Sequence, residues 1–134
     1  MREILFRGRM RYSNQWVEGS LHLIENRGLT YAWILWKGVH ESIEVSLHSV
    51  GAYSGRTDRN GKRIYEGDIV KTWLEGGAHS GFSWPLGVVE FRDSSFGIAH
   101  GKYKFTPLSA YAPRVLMEVI GNIHDNPELI KEDE

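Results

Sequence analysis

The residues best suited to chemistry crowd the middle of the chain. Arg56, Arg59, Lys62 and Arg63 lie within a short segment flanked by Tyr53 and Tyr65. Cationic side chains beside aromatic rings are the parts of a surface that holds phosphates and stacks a base. The same residues also read as a turn. Asp58 can accept hydrogen bonds from neighbouring amides, and Asn60-Gly61 tolerates the positive φ of a reverse turn, leaving the cations solvated. The turn reading carries more weight, because such compositions recur in loops and the near-neutral net charge supplies little attraction for a polyanion.

Glu66 and Asp68 form a close carboxylate pair, the material of acid–base chemistry or of a divalent-cation site. Gly67 between them predicts a turn instead, in which Asp68 fixes the backbone entering Ile69-Val70. Histidines such as His22, His48 and His100 are scattered, with neither the helical pair of a metalloprotease nor cysteines to complete a zinc site. Serines lack a nucleophile elbow, and the glycines match neither a P-loop nor a dinucleotide fingerprint. The sequence therefore assigns no catalytic residue, metal or cofactor. A small hydrolase or nuclease built on Glu66, Asp68 and a histidine is the least supported reading.

Trp33 and Trp36 are the other notable pair. On a strand they face opposite sides, so one can be exposed and offer a rigid apolar surface to a protein partner or a second copy. Core filling is the alternative for each ring.

These residues need elements to hold them. Five Trp, six Tyr, five Phe and fifteen Gly favour strands joined by tight turns over helices. Ile4-Leu5-Phe6 and Gln15 to Leu21 flank the turn residues Ser13-Asn14 and predict a hairpin. Asn26-Arg27-Gly28 is a second turn signal, leading into Leu29 to Trp36, whose β-branched and aromatic content favours a strand, with a short buried helix as the alternative that pattern leaves open. Ile43, Val45 and Leu47 alternate with Ser42, Glu44, Ser46 and His48 in the two-residue period of a half-buried strand. Val50 to Asn60 reads as a turn region.

Ile69 to Leu74, Gly87 to Phe91, Phe96 to Ile98 and Val115 to Ile120 read as further strands. Glu75 to Pro85 is a glycine-rich loop expected to be weakly ordered. A short turn or helical piece is expected after Pro107, limited by Pro113. Asn126-Pro127 predicts the opening of a short C-terminal helix, with Asn as cap and Pro in the first position.

The length, 134 residues, suits one domain or two small β units, with the best boundary before Val50: an N-terminal β unit over residues 1–49 and a second over 50–134. Sixteen basic against seventeen acidic residues give a net charge of -1, which argues against a general polyanion binder. The lack of cysteine excludes a disulfide scaffold and suits a reducing compartment. With no signal-peptide pattern and no apolar run of membrane-spanning length, a cytoplasmic protein is expected.

The stretch Val50-Gly51-Ala52-Tyr53-Ser54-Gly55-Arg56-Thr57-Asp58-Arg59-Asn60-Gly61-Lys62-Arg63-Ile64-Tyr65-Glu66-Gly67-Asp68-Ile69-Val70 resembles the signature region of the YopX family. The opening Met1 to Arg7, the strand Gly87 to Phe91 and the ending Glu118 to Leu129 look like that family's start, middle and finish, so the resemblance spans nearly the whole chain. It implies an all-β, mainly antiparallel fold of small barrel-like units, encoded by phages or prophages of bacteria, without an established biochemical activity. It supplies no catalytic residues to carry over. The expected function is a non-enzymatic accessory protein that binds another protein and can self-associate. The alternative is a nucleic-acid-binding module using the Arg56–Arg63 turn region.

Overall fold

The computed structural model describes residues 2–75, 84–101 and 104–130. Most of the glycine-rich stretch expected to be a loop, residues 76–83, lies outside the described residues. The chain forms two compact units, Met1–Gly55 and Arg56–Glu134.

The first unit contains β1 (Phe6–Arg9), β2 (Trp16–Asn26), β3 (Leu29–Trp36), β4 (Ser42–Val45) and the start of β5 (Gly51–Thr57). Its strand order is β4-β3-β2-β1-β5, with neighbouring strands antiparallel. The β2–β3 hairpin turns through Arg27 and Gly28, at φ 54° and 79°. Two consecutive left-handed residues match the right-handed twist of the flanking strands, as the Asn26-Arg27-Gly28 signal predicts. Alternation then puts Val17, Ala32, Ile34 and Val45 into one buried cluster, packed by Met10, Leu21, Trp36, Ile43 and Val50. The sheet curls until Met10, just past β1, meets Val45 at the end of β4 in a single antiparallel bridge.

The second unit carries β6 (Arg63–Tyr65), β7 (Asp68–Leu74), β8 (Gly87–Arg92), β9 (Ser95–His100), β10 (Lys104–Pro107) and β11 (Val115–Asn122). Five of these form an antiparallel sheet in the order β10-β9-β8-β7-β11. Its core is Ile64, Val70, Val89, Ile98, Leu108 and Met117, with Phe96, Tyr111 and Val119 against it. A bulge between Val119 and Gly121 shifts the register of β11 on β7. The β8–β9 turn uses Asp93 and Ser94 at positive φ, a two-residue turn made without glycine.

The all-β, antiparallel expectation holds. Barrel closure does not: among the described residues, the strands form open sheets, and the curl of the first stops at the Met10–Val45 bridge. Three local expectations also change. The strand expected to run on to His48 ends at Val45, because Leu47–Ser49 forms a 3-10 turn in which Ser49 Oγ donates to the Ser46 carbonyl. The turn region expected over Val50 to Asn60 narrows to the turn at 58–62, because Gly51–Thr57 is strand β5, in which Gly51 and Ala52 pair with Arg7 and Phe6. The C-terminal helix is a single 3-10 turn, Pro127–Leu129; Asn126 Oδ1 accepts from the Asn122 amide and does not cap it.

Gly8 shows how tightly the curl is packed. A Cβ there would lie 2.6 Å from Val45 Cγ2, so β1 and β4 approach closely only because position 8 has no side chain. Gly8→Ala is expected to destabilise the protein by about 1–3 kcal/mol through overpacking. Adding Val45→Ala should recover part of that loss in a double-mutant cycle followed by urea denaturation; two independent, additive losses would contradict the close approach.

Candidate interaction surface

Strand β3 is apolar on both faces. Thr30, Ala32, Ile34 and Trp36 share one face, while Leu29, Tyr31, Trp33 and Leu35 share the other. The first set turns inward, and Trp36 packs against the buried cluster. The second set turns outward, as expected for tryptophans three residues apart on a strand. Directly opposed residues share a face, so the outward set continues onto β2 through Ile24 opposite Tyr31 and His22 opposite Trp33. Leu29 is 60% exposed, Leu35 45% and Ile24 43%, with Tyr31 and Trp33 half-buried among them.

This surface sits on a ribbon that outruns its neighbours. Pairing of β1 with β2 ends at Phe6–Gly19, and pairing of β4 with β3 ends at Ala32–Val45. Among the described residues, β2 from Ser20 to Asn26 therefore has a strand on one side only. Its outer edge presents backbone donors and acceptors in a row. Sequence reasoning found Trp33 but passed over Ile24, Leu29, Tyr31 and Leu35. The signal that marks them is apolar residues in both registers of a period-two segment, beyond what one buried face requires.

The central basic segment has a different role. The Asp58 carboxylate is 7% exposed. Its Oδ1 accepts from the amides of Asn60 and Lys62, both at 2.9 Å, and its Oδ2 from the amide of Val119 at 3.0 Å. Asp58 N–H donates to the Lys62 carbonyl, and Arg59 N–H to the Met117 carbonyl. The turn is thus closed on itself and tied to β11. Burial alone would raise the Asp58 carboxyl, but the amides of Val119, Lys62 and Asn60, aided by the Lys62 charge, outweigh it and hold it below its ordinary value.

The cations around Asp58 disperse. Arg56 donates to the Leu108 carbonyl at 2.9 Å and is half-buried, as is Arg63. Tyr65 is buried, and Tyr53 lies in the first unit, its amide donating to the Leu5 carbonyl. Arg59 and Lys62 are exposed; Arg59 stacks 5.4 Å from the Trp73 ring, which Lys71 also approaches at 5.5 Å. The carboxylate pair separates in the same way. Asp68 is 1% exposed, and its Oδ2 accepts from the Tyr65 amide at 2.8 Å. Gly67, at φ 90°, donates to the Val89 carbonyl and accepts from Ile123. Glu66-Gly67-Asp68 is a stitched turn, the structural reading favoured from sequence.

Among the described residues, no helix is long and apolar enough to cross a membrane. These features define an all-β protein of open antiparallel sheets, tied at two turns by buried aspartates. The chain matches the YopX protein family over residues 5–131 and belongs to that family. Its fold is similar to that of protein yopX from Bacillus subtilis, with a TM-score of 0.57 and 23% identity over 96% of this chain and 98% of that one. It is also similar to protein EF1440 from Enterococcus faecalis, with a TM-score of 0.53 and 18% identity over 97% of this chain and 99% of that one. No curated protein matches.

Asp58→Asn keeps the size of the side chain but turns an NH2 toward one of three donor amides, and should cost roughly 1.5–3 kcal/mol near neutral pH. Because the folded carboxyl titrates below the unfolded one, its contribution is complete above the ordinary value of 3.8 and is lost as pH falls through the folded value. Thermal melts of the wild type should therefore fall more steeply below that point than those of the variant. Parallel curves would remove Asp58 from this role.

Proposed function

We propose that this protein is a non-enzymatic accessory protein that binds another protein through the outward face of the β2–β3 hairpin. The observation that carries the reading is the exposure of Ile24, Leu29 and Leu35 around half-buried Tyr31 and Trp33, on a ribbon extending past its neighbouring strands. Contiguous exposed apolar area gains when a partner removes it from water, and aromatic rings anchored at its centre supply much of the binding energy. The open edge of β2 adds a second element, because an extended partner segment can pair with it through backbone hydrogen bonds. We further propose that the protein acts in the cytoplasm of a bacterium carrying a phage or prophage, a reading supported by its membership of the YopX family. Nucleic-acid binding by the Arg56–Arg63 turn has less support, since the hydrogen bonds of Asp58 account for the composition of that turn.

The double variant Leu29→Asp, Leu35→Asp tests the reading. Both positions are exposed, so its melting behaviour should stay close to wild type, within about 0.5 kcal/mol per site. Affinity capture from prophage-bearing cells should recover a protein on the wild type and lose it on the variant, and sedimentation should show whether that protein is a second copy of the chain. A partner retained by the variant, or lost on replacing Arg59 and Lys62 instead, would overturn the assignment.

A further inference from the structure

The seam of the first unit, where Met10 bridges Val45, opens into a cleft separate from the apolar hairpin face. Its volume is about 550 Å³, and it is open to solvent along much of its extent. The lining is rich in donors: Arg9, Arg11, Asn14, Ser46 and His48, with Tyr12 beside them and no carboxylate among the lining residues. Glu44 stands outside that lining and grips Arg11 at 3.2 Å.

The walls are held by backbone bonds. Ser46 N–H donates to the Arg9 carbonyl at 2.9 Å, and Met10 N–H to the Gln15 carbonyl at 2.8 Å. Ser49 Oγ accepts from the Arg9 amide at 2.8 Å. Arg9 lies 6.0 Å from the centre of the Trp16 ring, with Arg7 at 4.8 Å on the same indole. Stacking of this kind orients a planar guanidinium before any ligand arrives. Ser46 Oγ and His48 Nδ1 are 2.9 Å apart. The Tyr12 ring, 5.9 Å from the Arg11 guanidinium, is 90% exposed.

We propose that this cleft binds a nucleoside phosphate, its phosphate held by Arg9 and Arg11 and its base laid on Tyr12. Guanidinium forks match phosphate oxygens in geometry and charge. A simple anion would use the arginines but would leave no role for an aromatic ring standing almost wholly in water, whereas a base covers that ring by stacking. A single phosphate contacted at short range needs no net positive charge on the protein, so the formal charge of -1 is no obstacle. The nucleotide can be free or one unit of a single strand, and the two sources differ in how binding responds to chain length.

Titration calorimetry of the full chain at low salt, with AMP, with pyrophosphate and with a short oligothymidylate, tests the site. AMP or the oligonucleotide should bind, and Arg11→Gln should weaken it about tenfold through loss of a charge-assisted contact. Tyr12→Ala should weaken both nucleotide ligands several-fold while leaving pyrophosphate unchanged. Arg9→Gln should act like Arg11→Gln, but Arg9 also stacks on Trp16, so the two exposed variants decide. An oligonucleotide binding about tenfold tighter than AMP, with an affinity that falls steeply with salt, assigns the site to a single strand; equal affinities assign it to the free nucleotide. Absence of binding at millimolar AMP and oligonucleotide overturns the proposal. So does nucleotide binding that Arg11→Gln and Tyr12→Ala leave intact, or pyrophosphate binding as tightly as AMP.

Discussion

A carboxylate taken out of water must find donors where it is buried, and Asp58 finds three in the backbone. Two belong to its own turn, at Asn60 and Lys62, and the third to Val119 on β11. One side chain therefore sets the shape of the 58–62 turn and its position on the sheet at once. Hydrogen bonds to an ionised acceptor are stronger than neutral ones, and removing the acceptor would leave buried amides unsatisfied. Asp68 does the same work at shorter range, closing the turn between β6 and β7 through the Tyr65 amide. The second core, from Ile64 to Met117, forms around strands whose entry points these two residues hold.

The first unit relies on a different constraint. Its cluster of Val17, Ala32, Ile34 and Val45 is small, and it closes because Gly8 lets β1 pass against Val45. The curl that results creates the seam at Met10 and Val45, along which Arg9, Arg11, Tyr12 and His48 gather. Strand length does the rest: β2 and β3 run past the shorter β1 and β4, so the far end of their hairpin stands beyond both, with apolar side chains on its outward face. The seam is the place proposed above for a nucleotide, and the hairpin face the one proposed for a protein partner.

Some of this was legible in the sequence. Asn26-Arg27-Gly28 marks its turn because a two-residue hairpin needs left-handed backbone, and Asn60-Gly61 marks the longer 58–62 turn, where Gly61 takes positive φ. Asp58 and Asp68 are recognisable as turn carboxylates because their neighbours are glycine and asparagine. Other elements were not legible. The stretch from Gly51 to Thr57 carries glycines and serine that read as turn, yet it becomes β5 once β1 supplies a pairing edge. Leu47 continues the alternation of Ile43 and Val45, yet Ser49 ends the strand with a local hydrogen bond. In both places a contact with another segment, or with the side chain's own backbone, outweighed propensity.

The amino-acid order by itself determined the class of the protein, its tight turns and the structural use of its central aspartates. Each of these depends on backbone preferences and neighbours a few residues away. Only the tertiary structure decided which face of β3 meets water, and that Arg9, Tyr12 and His48 would border one cleft. Strand pairing joins residues far apart in the chain, and a period-two pattern that is apolar in both registers does not say which register is buried.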